Sequence, residues 1–362
     1  MARIAISLCG EGRGHATRIA TLVERLPVGH EIHIFAAADA FEFLTRRFPP
    51  GGPVRVAEIP GIVFRYTAGR LDVLRSISSG FDFRARQLGP LVDRLERELH
   101  AIGADLAVTD FEPALPRAAA RAGVPLVSLD HQHFLRAYDL GALPWTLRWR
   151  ALFIGLAVWL YDVQAFDMVI SAFFRPPLKA GWRHVVQVGP LLRSEVLAAT
   201  PTRGDHLVSY LRRQTPPSVV EALAACGVPV RVYGLGGRGP VGGVSFHAID
   251  DHQFVEDLAS CRAVVSAAGN QLIGEALHLG KPLLLLPERA HVEQLINSHF
   301  LVAMGAGESC HLEAVSASRI GEFIGRLDRY TGAADAYRGR IDGTPIVLDI
   351  IASRLAAQAA AP

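Results

Sequence analysis

The chain has 362 residues, half of them hydrophobic and one fifth charged, with 37 Lys and Arg against 35 Asp and Glu. At about 100–200 residues per domain, this length favours two domains, each with its own full core, and argues against extended disorder. A net charge of +2 argues against a dedicated nucleic-acid surface, which normally carries a strong basic excess.

Short apolar runs alternate with longer helical patterns from end to end. In the first half, Arg3–Cys9, Glu31–Ala36, Val54–Ile59, Leu106–Thr109, Pro125–Leu129 and Met168–Ala172 read as strands. They are rich in Val, Ile and Leu on both faces, as in parallel strands covered on both sides. Helical patterns lie between them at Thr17–Leu26, Ala38–Arg47, Phe83–His100 and Ala114–Ala122. A Gly-Pro break at Gly189 and Pro190 restarts the texture. Strands are then expected at Leu207–Leu211, Val230–Gly234, Val244–His247, Ala263–Ser266 and Pro282–Leu286, with helices at Pro217–Ala225, Gln253–Ser260, Gln271–Leu279 and Glu293–Met304. The fold class is α/β: two Rossmann-like doubly wound domains, 1–188 and 189–362, facing across a cleft. The last helix is a candidate to pack back on the N-terminal domain.

Cys9, Cys226, Cys261 and Cys310 are scattered without a CxxC pair, which suits reduced thiols better than a disulfide framework or a zinc site. The N-terminus runs straight into a strand pattern rather than a secretory signal, so a cytoplasmic location is expected. No run reaches the roughly 18–20 apolar residues of a membrane span.

The first strand leads into Cys9-Gly10-Glu11-Gly12-Arg13-Gly14-His15. This glycine-rich turn is neither the dinucleotide fingerprint nor a Walker loop. Histidine titrates near neutral pH, so His15 is a candidate base for an attacking hydroxyl, or else a residue that binds phosphate. Arg13 and Arg18 suit a phosphate or an anionic acceptor, or else a solvated surface. Asp110 and Glu112, and then Asp130, His131 and His133, sit at strand ends, where such sheets form their crevice. Asp110 either orients His15 or is itself the base. The plain alternatives are that Asp110 caps the helix after Pro113 and that His131 is a packed core histidine.

In the second half, Ser266-Ala267-Ala268-Gly269 is a small-residue turn that opens a helix at Asn270 and Gln271. The N–H groups and dipole of a helix start hold phosphate without metal, and Gly269 permits close approach. Glu275 lies one to two turns further in, placed for the hydroxyls of a ribose. Glu293 and Gln294 follow the next strand as candidates for sugar hydroxyls, with Asn297 after them.

This order, from glycine turn through Glu275 to Glu293-Gln294-x-x-Asn297, resembles the nucleotide-sugar box of GT-B glycosyltransferases. It is closest to MurG-like, family-28 C-terminal-type bacterial and archaeal enzymes. The first loop is similar too, and the resemblance implies that Gly12 and Gly14 face the donor phosphates, with Glu11, Arg13, Asp130 and His131 on the acceptor side. It further implies that Ile249 and Phe254 receive a uracil ring. One departure is that Ser266 and Ala267 stand where plant-type members have a phosphate-contacting His, which leaves more of the phosphate binding to backbone amides. The implied activity is metal-independent, inverting transfer from a UDP-sugar to a carbohydrate, lipid-linked or small-molecule acceptor, with the nucleotide sugar as co-substrate and no cofactor. Two alternatives are a UDP-sugar epimerase of the same fold, which needs no acceptor, and a non-catalytic nucleotide-sugar-binding module.

The segment Leu143–Phe166 is apolar nearly all round, with Trp145, Trp149, Phe153, Trp159 and Tyr161 and the basic Arg148 and Arg150. The first reading is a buried crossover helix covering the strand Met168–Ala172. The second is peripheral association with the inner face of a membrane.

Overall fold

The structure, a computed structural model, describes residues 1–10, 13–62, 66–67, 70–71, 73–158, 165 and 167–360. Seven parallel strands form the first sheet, in the spatial order Val54–Glu58, Glu31–Ala36, Arg3–Leu8, Leu106–Asp110, Leu126–Asp130, Asp167–Ser171 and Val186–Val188. Six form the second, in the order Val244–Phe246, Val230–Tyr233, Leu207–Tyr210, Ala263–Ser266, Leu283–Leu285 and Gly307–Ser309. Both run outward from a first strand and then reverse, the doubly wound arrangement of Rossmann-like folds.

Strand periodicity splits each sheet between two cores. Ile4, Ile6 and Leu8 join Ile19, Leu22 and Leu44 on one side of the first sheet, while Ala5 joins Leu95, Leu99 and Leu115 on the other. A third cluster runs continuously from Phe134, Tyr138 and Phe174 of the first half into Phe254, Ile273 and Ile296 of the second. There Phe174 stacks on Phe300 with ring centres 4.1 Å apart. The helix Thr344–Ala359 returns to the first sheet, buries Val347 and Ile351 against its core, and pairs Arg354 with Asp167 at 2.9 Å.

Several elements differ from expectation. The helix expected from Thr17 begins at Arg13, which puts His15 in its first turn. The expected helix Phe83–His100 is a longer run: Val73–Asp82, one π-turn over Phe83–Gln87, then Leu88–Ile102. The edge strands Val186–Val188 and Gly307–Ser309 were not anticipated, nor were the helices Ala317–Gly325 and Leu327–Ala336. The helix Trp145–Val158 is not the fully buried crossover first expected. Ala151 and Val158 are buried, but Trp145, Trp149, Leu152, Phe153 and Leu156 stand 54–72% exposed. Its near-uniform apolarity gave no period to mark an outer face. Trp159, Tyr161 and Phe166 lie outside the described residues.

Candidate active site

Strand order reverses in the first sheet between Arg3–Leu8 and Leu106–Asp110, so the carboxyl ends of these two strands open a crevice. Gly10 leaves the first strand against the end of the second. A Cβ there would lie 2.7 Å from the Ala37 carbonyl oxygen, so only glycine fits. The helix Arg13–Arg25 then brings His15 and Arg18, one turn apart, over Asp110.

His15 Nδ1 lies 2.8 Å from Asp110 Oδ1. Arg18 donates from Nε to Asp110 Oδ2 at 2.9 Å and from its terminal nitrogen to Oδ1 at 3.0 Å. Asp110 is wholly buried, and Arg18 and His15 are nearly so. With Nδ1–H donated to the carboxylate, His15 Nε2 keeps its lone pair, and the Gln132 side-chain nitrogen stands 3.3 Å from it. Phe111, directly after Asp110, takes a left-handed backbone (φ 55°), which re-aims the chain at the strand end.

The helix Ala114–Ala122 is capped by Glu112, not Asp110. Its two oxygens accept the N–H groups of Ala114 and Leu115 at 2.7 and 2.8 Å. Burial pushes the Glu112 carboxyl up, against those two bonds. Asp130 is likewise engaged, accepting the His133 backbone N–H at 2.9 Å and pairing with its ring. Burial raises the Asp130 carboxyl, but His133 and Arg18 outweigh it and hold the group below its usual range. His131 is a packed core histidine in its surroundings. Its Nδ1 lies 3.0 Å from the Ser171 carbonyl, its Nε2 lies 3.3 Å from Asn297 Oδ1, and its ring packs on Phe134 and Phe174. Burial pushes its imidazole down, partly countered by Glu293 at 3.8 Å.

Across the cleft, the helix Asn270–His278 starts behind Gly269, where a Cβ would meet nothing within 4 Å, so the approach to its N–H groups is open. Ala268 is buried, and its carbonyl accepts Asn297 Nδ2 at 2.9 Å. The Asn270 side chain is committed to the other half, accepting from Phe173 N–H and donating to the Ser171 carbonyl, both at 3.1 Å. Only its backbone therefore remains for a phosphate. Gln271 donates to the Leu191 carbonyl at 2.7 Å and to Glu275 at 3.2 Å.

Glu275 is 2% exposed and is gripped by Arg193, from Nε at 3.0 Å and from a terminal nitrogen at 2.8 Å. Arg193 also reaches Asp251 at 3.1 Å, and Asp251 in turn meets Arg13 of the first half at 3.3 Å. Arg13 is thus ion-paired across the cleft rather than free for an acceptor. Ile249 is 42% exposed, whereas Phe254 is buried edge-on against Tyr233, so the two do not form one exposed platform.

Glu293 opens the helix Val292–Ala303. Burial raises its carboxyl, but His131, His291, His15 and Arg212 together hold it below the usual range. Gln294 is buried; its oxygen accepts Glu288 N–H at 2.9 Å and its side-chain nitrogen has no hydrogen-bond partner among the described residues. Gly14 is open to added volume, while Glu11 and Gly12 lie outside the described residues. Among the described residues, no three His, Cys, Asp or Glu side chains gather in a way that would hold a metal ion.

Sequence reasoning missed Gln132 and Arg193, and it read Arg18 as a phosphate or acceptor partner, whereas its guanidinium is committed to Asp110. Arg18 follows His15 by three positions and so shares its helix face, which is what turns it toward Asp110. Arg193 carried none, because its partners are 58 and 82 residues away.

A family model described as glycosyl transferase family 1 matches residues 2–328. The chain belongs to that family. This glycosyltransferase is 25% identical to an uncharacterized glycosyltransferase of Methanosarcina acetivorans over 94% of its own length and 92% of the relative's. It is also 32% identical to L-arabinokinase of Arabidopsis thaliana, over 33% of its own length and only 12% of the plant protein's. Among solved structures, the calicheamicin glycosyltransferase CalG4 superposes with a TM-score of 0.69 at 18% identity, covering 100% of both chains. A variant of Os79 from O. sativa in complex with UDP gives 0.70 at 16% identity, covering 97% of this chain and 100% of that one. MurG of Acinetobacter baumannii gives 0.63 at 14% identity, covering 98% and 100%. The architecture of this glycosyltransferase is the GT-B fold.

Proposed function

We propose that the enzyme transfers a glycosyl group from a nucleoside diphosphate sugar, a UDP-sugar in the first instance, to an acceptor hydroxyl. The observation that carries this reading is the buried His15–Asp110 pair at the reversal point of the first sheet, facing an open helix start in the second. In the proposed step His15 Nε2 takes the acceptor proton, the acceptor oxygen bonds to the anomeric carbon, and the bond from that carbon to the phosphate oxygen breaks. The nucleoside diphosphate leaves with the electron pair. A single displacement of this kind inverts the anomeric centre.

The N–H groups at Asn270 and Gln271 receive the diphosphate in this reading, so no cation is required to neutralise it. Glu275 binds the ribose, and Glu293 and Gln294 bind sugar hydroxyls. The unpartnered Gln294 nitrogen supports that last assignment, since a buried donor without an acceptor is costly. The bound UDP of the Os79 structure supports the choice of nucleotide.

We further propose that the acceptor side works against a membrane surface. The exposed Trp145, Trp149, Leu152, Phe153 and Leu156 form a stripe on a helix that carries the exposed Arg148 and Arg150, a composition suited to a lipid interface. Among the described residues, no helix is long and apolar enough to cross a membrane.

A thermal-shift screen of nucleoside diphosphate sugars, followed by transfer assays, tests the proposal. A ligand at 100 times its dissociation constant stabilises by about 2.7 kcal/mol. Conversion of a UDP-sugar with no acceptor present would instead indicate epimerisation, and binding without turnover a non-catalytic module.

A further inference from the structure

The pair His15–Asp110 does not stand alone. Arg18 lies one helical turn beyond His15, is 4% exposed, and covers both oxygens of Asp110 at 2.9 and 3.0 Å. Its terminal nitrogen is also 3.2 Å from His15 Nδ1. A carboxylate that faces only an imidazole favours the protonated ring strongly. Here the carboxylate's charge is already matched by a guanidinium that never loses its proton, and the guanidinium sits beside the ring itself.

We infer that Arg18 is a positioning residue that keeps His15 unprotonated, while Asp110 accepts Nδ1–H and so leaves the Nε2 lone pair toward the cleft. The inference rests on the proposed role of His15 as base and adds the device that keeps that base ready. The charged groups that reach the ring are Asp110 from the strand end, Arg18 from its own helix and Glu293 from the second half, while Asp130 and His131 of the neighbouring strand end lie within reach of Arg18. Asp110 and Glu293 are carboxylates that would draw a proton onto the ring. Arg18 is the guanidinium set directly against it, and its field also reaches Asp130 and His131.

The test is a titration of the His15 ring by NMR, assigned by the signal lost in His15→Asn, together with the pH profile of kcat/KM. Arg18→Gln removes the opposing charge, and the ring's midpoint is expected to rise by about 1–3 pH units, with the acid limb of activity following it. Arg18→Lys keeps the charge but not the two-point grip. Its midpoint should stay near that of the wild type while kcat falls. An unchanged midpoint in Arg18→Gln overturns the inference, and so does a uniform loss of activity at every pH with no shift of the limb. If Arg18→Gln does not fold, comparison of Asp110→Asn with Asp110→Asn/Arg18→Gln reads the same influence. The ring should titrate higher in the double variant, and equal midpoints overturn the inference. A shifted ring with an unshifted activity limb leaves the effect of Arg18 on the ring standing but removes His15 as the base, so the two failures are distinguishable.

Discussion

Arg193 holds both carboxylate oxygens of Glu275, at 3.0 and 2.8 Å, inside the second half of the molecule. The carboxylate proposed for the ribose is therefore a member of a buried ion pair before any nucleotide arrives. Breaking such a pair from one side leaves an unmatched buried charge, which costs about 3–5 kcal/mol. Glu275→Ala should lose stability on that scale and weaken UDP binding by about one to two orders of magnitude, as expected for a lost charged hydrogen bond. Denaturant unfolding and calorimetric titration with UDP separate the two effects. Full UDP affinity in a folded variant would remove Glu275 from the donor site.

Turnover should depend on His15 far more than donor binding does. General base catalysis contributes about 10²–10⁴-fold, so His15→Ala is expected to lower kcat by that factor with UDP affinity nearly intact. If UDP affinity collapses instead, His15 is a phosphate ligand. Asp110→Asn run beside it settles which of the two takes the proton: normal turnover in His15→Ala with none in Asp110→Asn assigns it to the carboxylate.

Metal dependence gives a third measurement. Activity is expected to survive EDTA and to be unchanged on adding magnesium or manganese. An enzyme inactivated by chelation and restored by either cation would rule out the amide-held diphosphate.

The outer stripe of the helix Trp145–Val158 should carry the protein onto anionic vesicles. Trp145→Ser/Trp149→Ser should reduce co-sedimentation with phosphatidylserine vesicles by several-fold while leaving turnover on a soluble acceptor intact. A wild-type protein that stays in the supernatant at low salt would count against the membrane reading.

Acid should loosen the loop before the helix Val292–Ala303 first. His291 caps that helix by accepting the Gln294 N–H at 3.4 Å, and burial, helped by Arg212, pushes its imidazole down to about 4. The folded protein therefore favours the neutral ring. The stability this gives is present above the ordinary histidine range and is lost as pH falls from about 6.5 toward 4. His291→Asn, which can still cap, should flatten this part of the stability profile. Identical profiles for the two proteins between those pH values would show that the ring is not responsible.

Alternation of strand and helix was readable because the buried parallel strands are continuous runs of Val, Ile and Leu. The three-residue edge strands Val186–Val188 and Gly307–Ser309 are too short to show a period. Glycine turns marked both crevices, and His15 and Asp110, far apart in sequence, were singled out by position and came together at 2.8 Å. What sequence could not supply was which polar groups are already taken. Asn270 looks like a phosphate ligand until Ser171 and Phe173 are seen on its side chain. Glu112 carried a local signal, a carboxylate just before a Pro-led helix, whereas the partners of Arg193 are set only by tertiary packing.

The return of the helix Thr344–Ala359 has a consequence for biosynthesis. Val347 and Ile351 belong to the same core as Ile4, Ile6 and Val188. On the ribosome, the first sheet can assemble its strands early but waits for the rest of the chain before that core is covered. At about 5–20 residues per second the interval is roughly ten to thirty seconds. During that time the nascent first half presents an apolar patch to chaperones, and a ribosome stalled in the second half would hold it exposed for degradation.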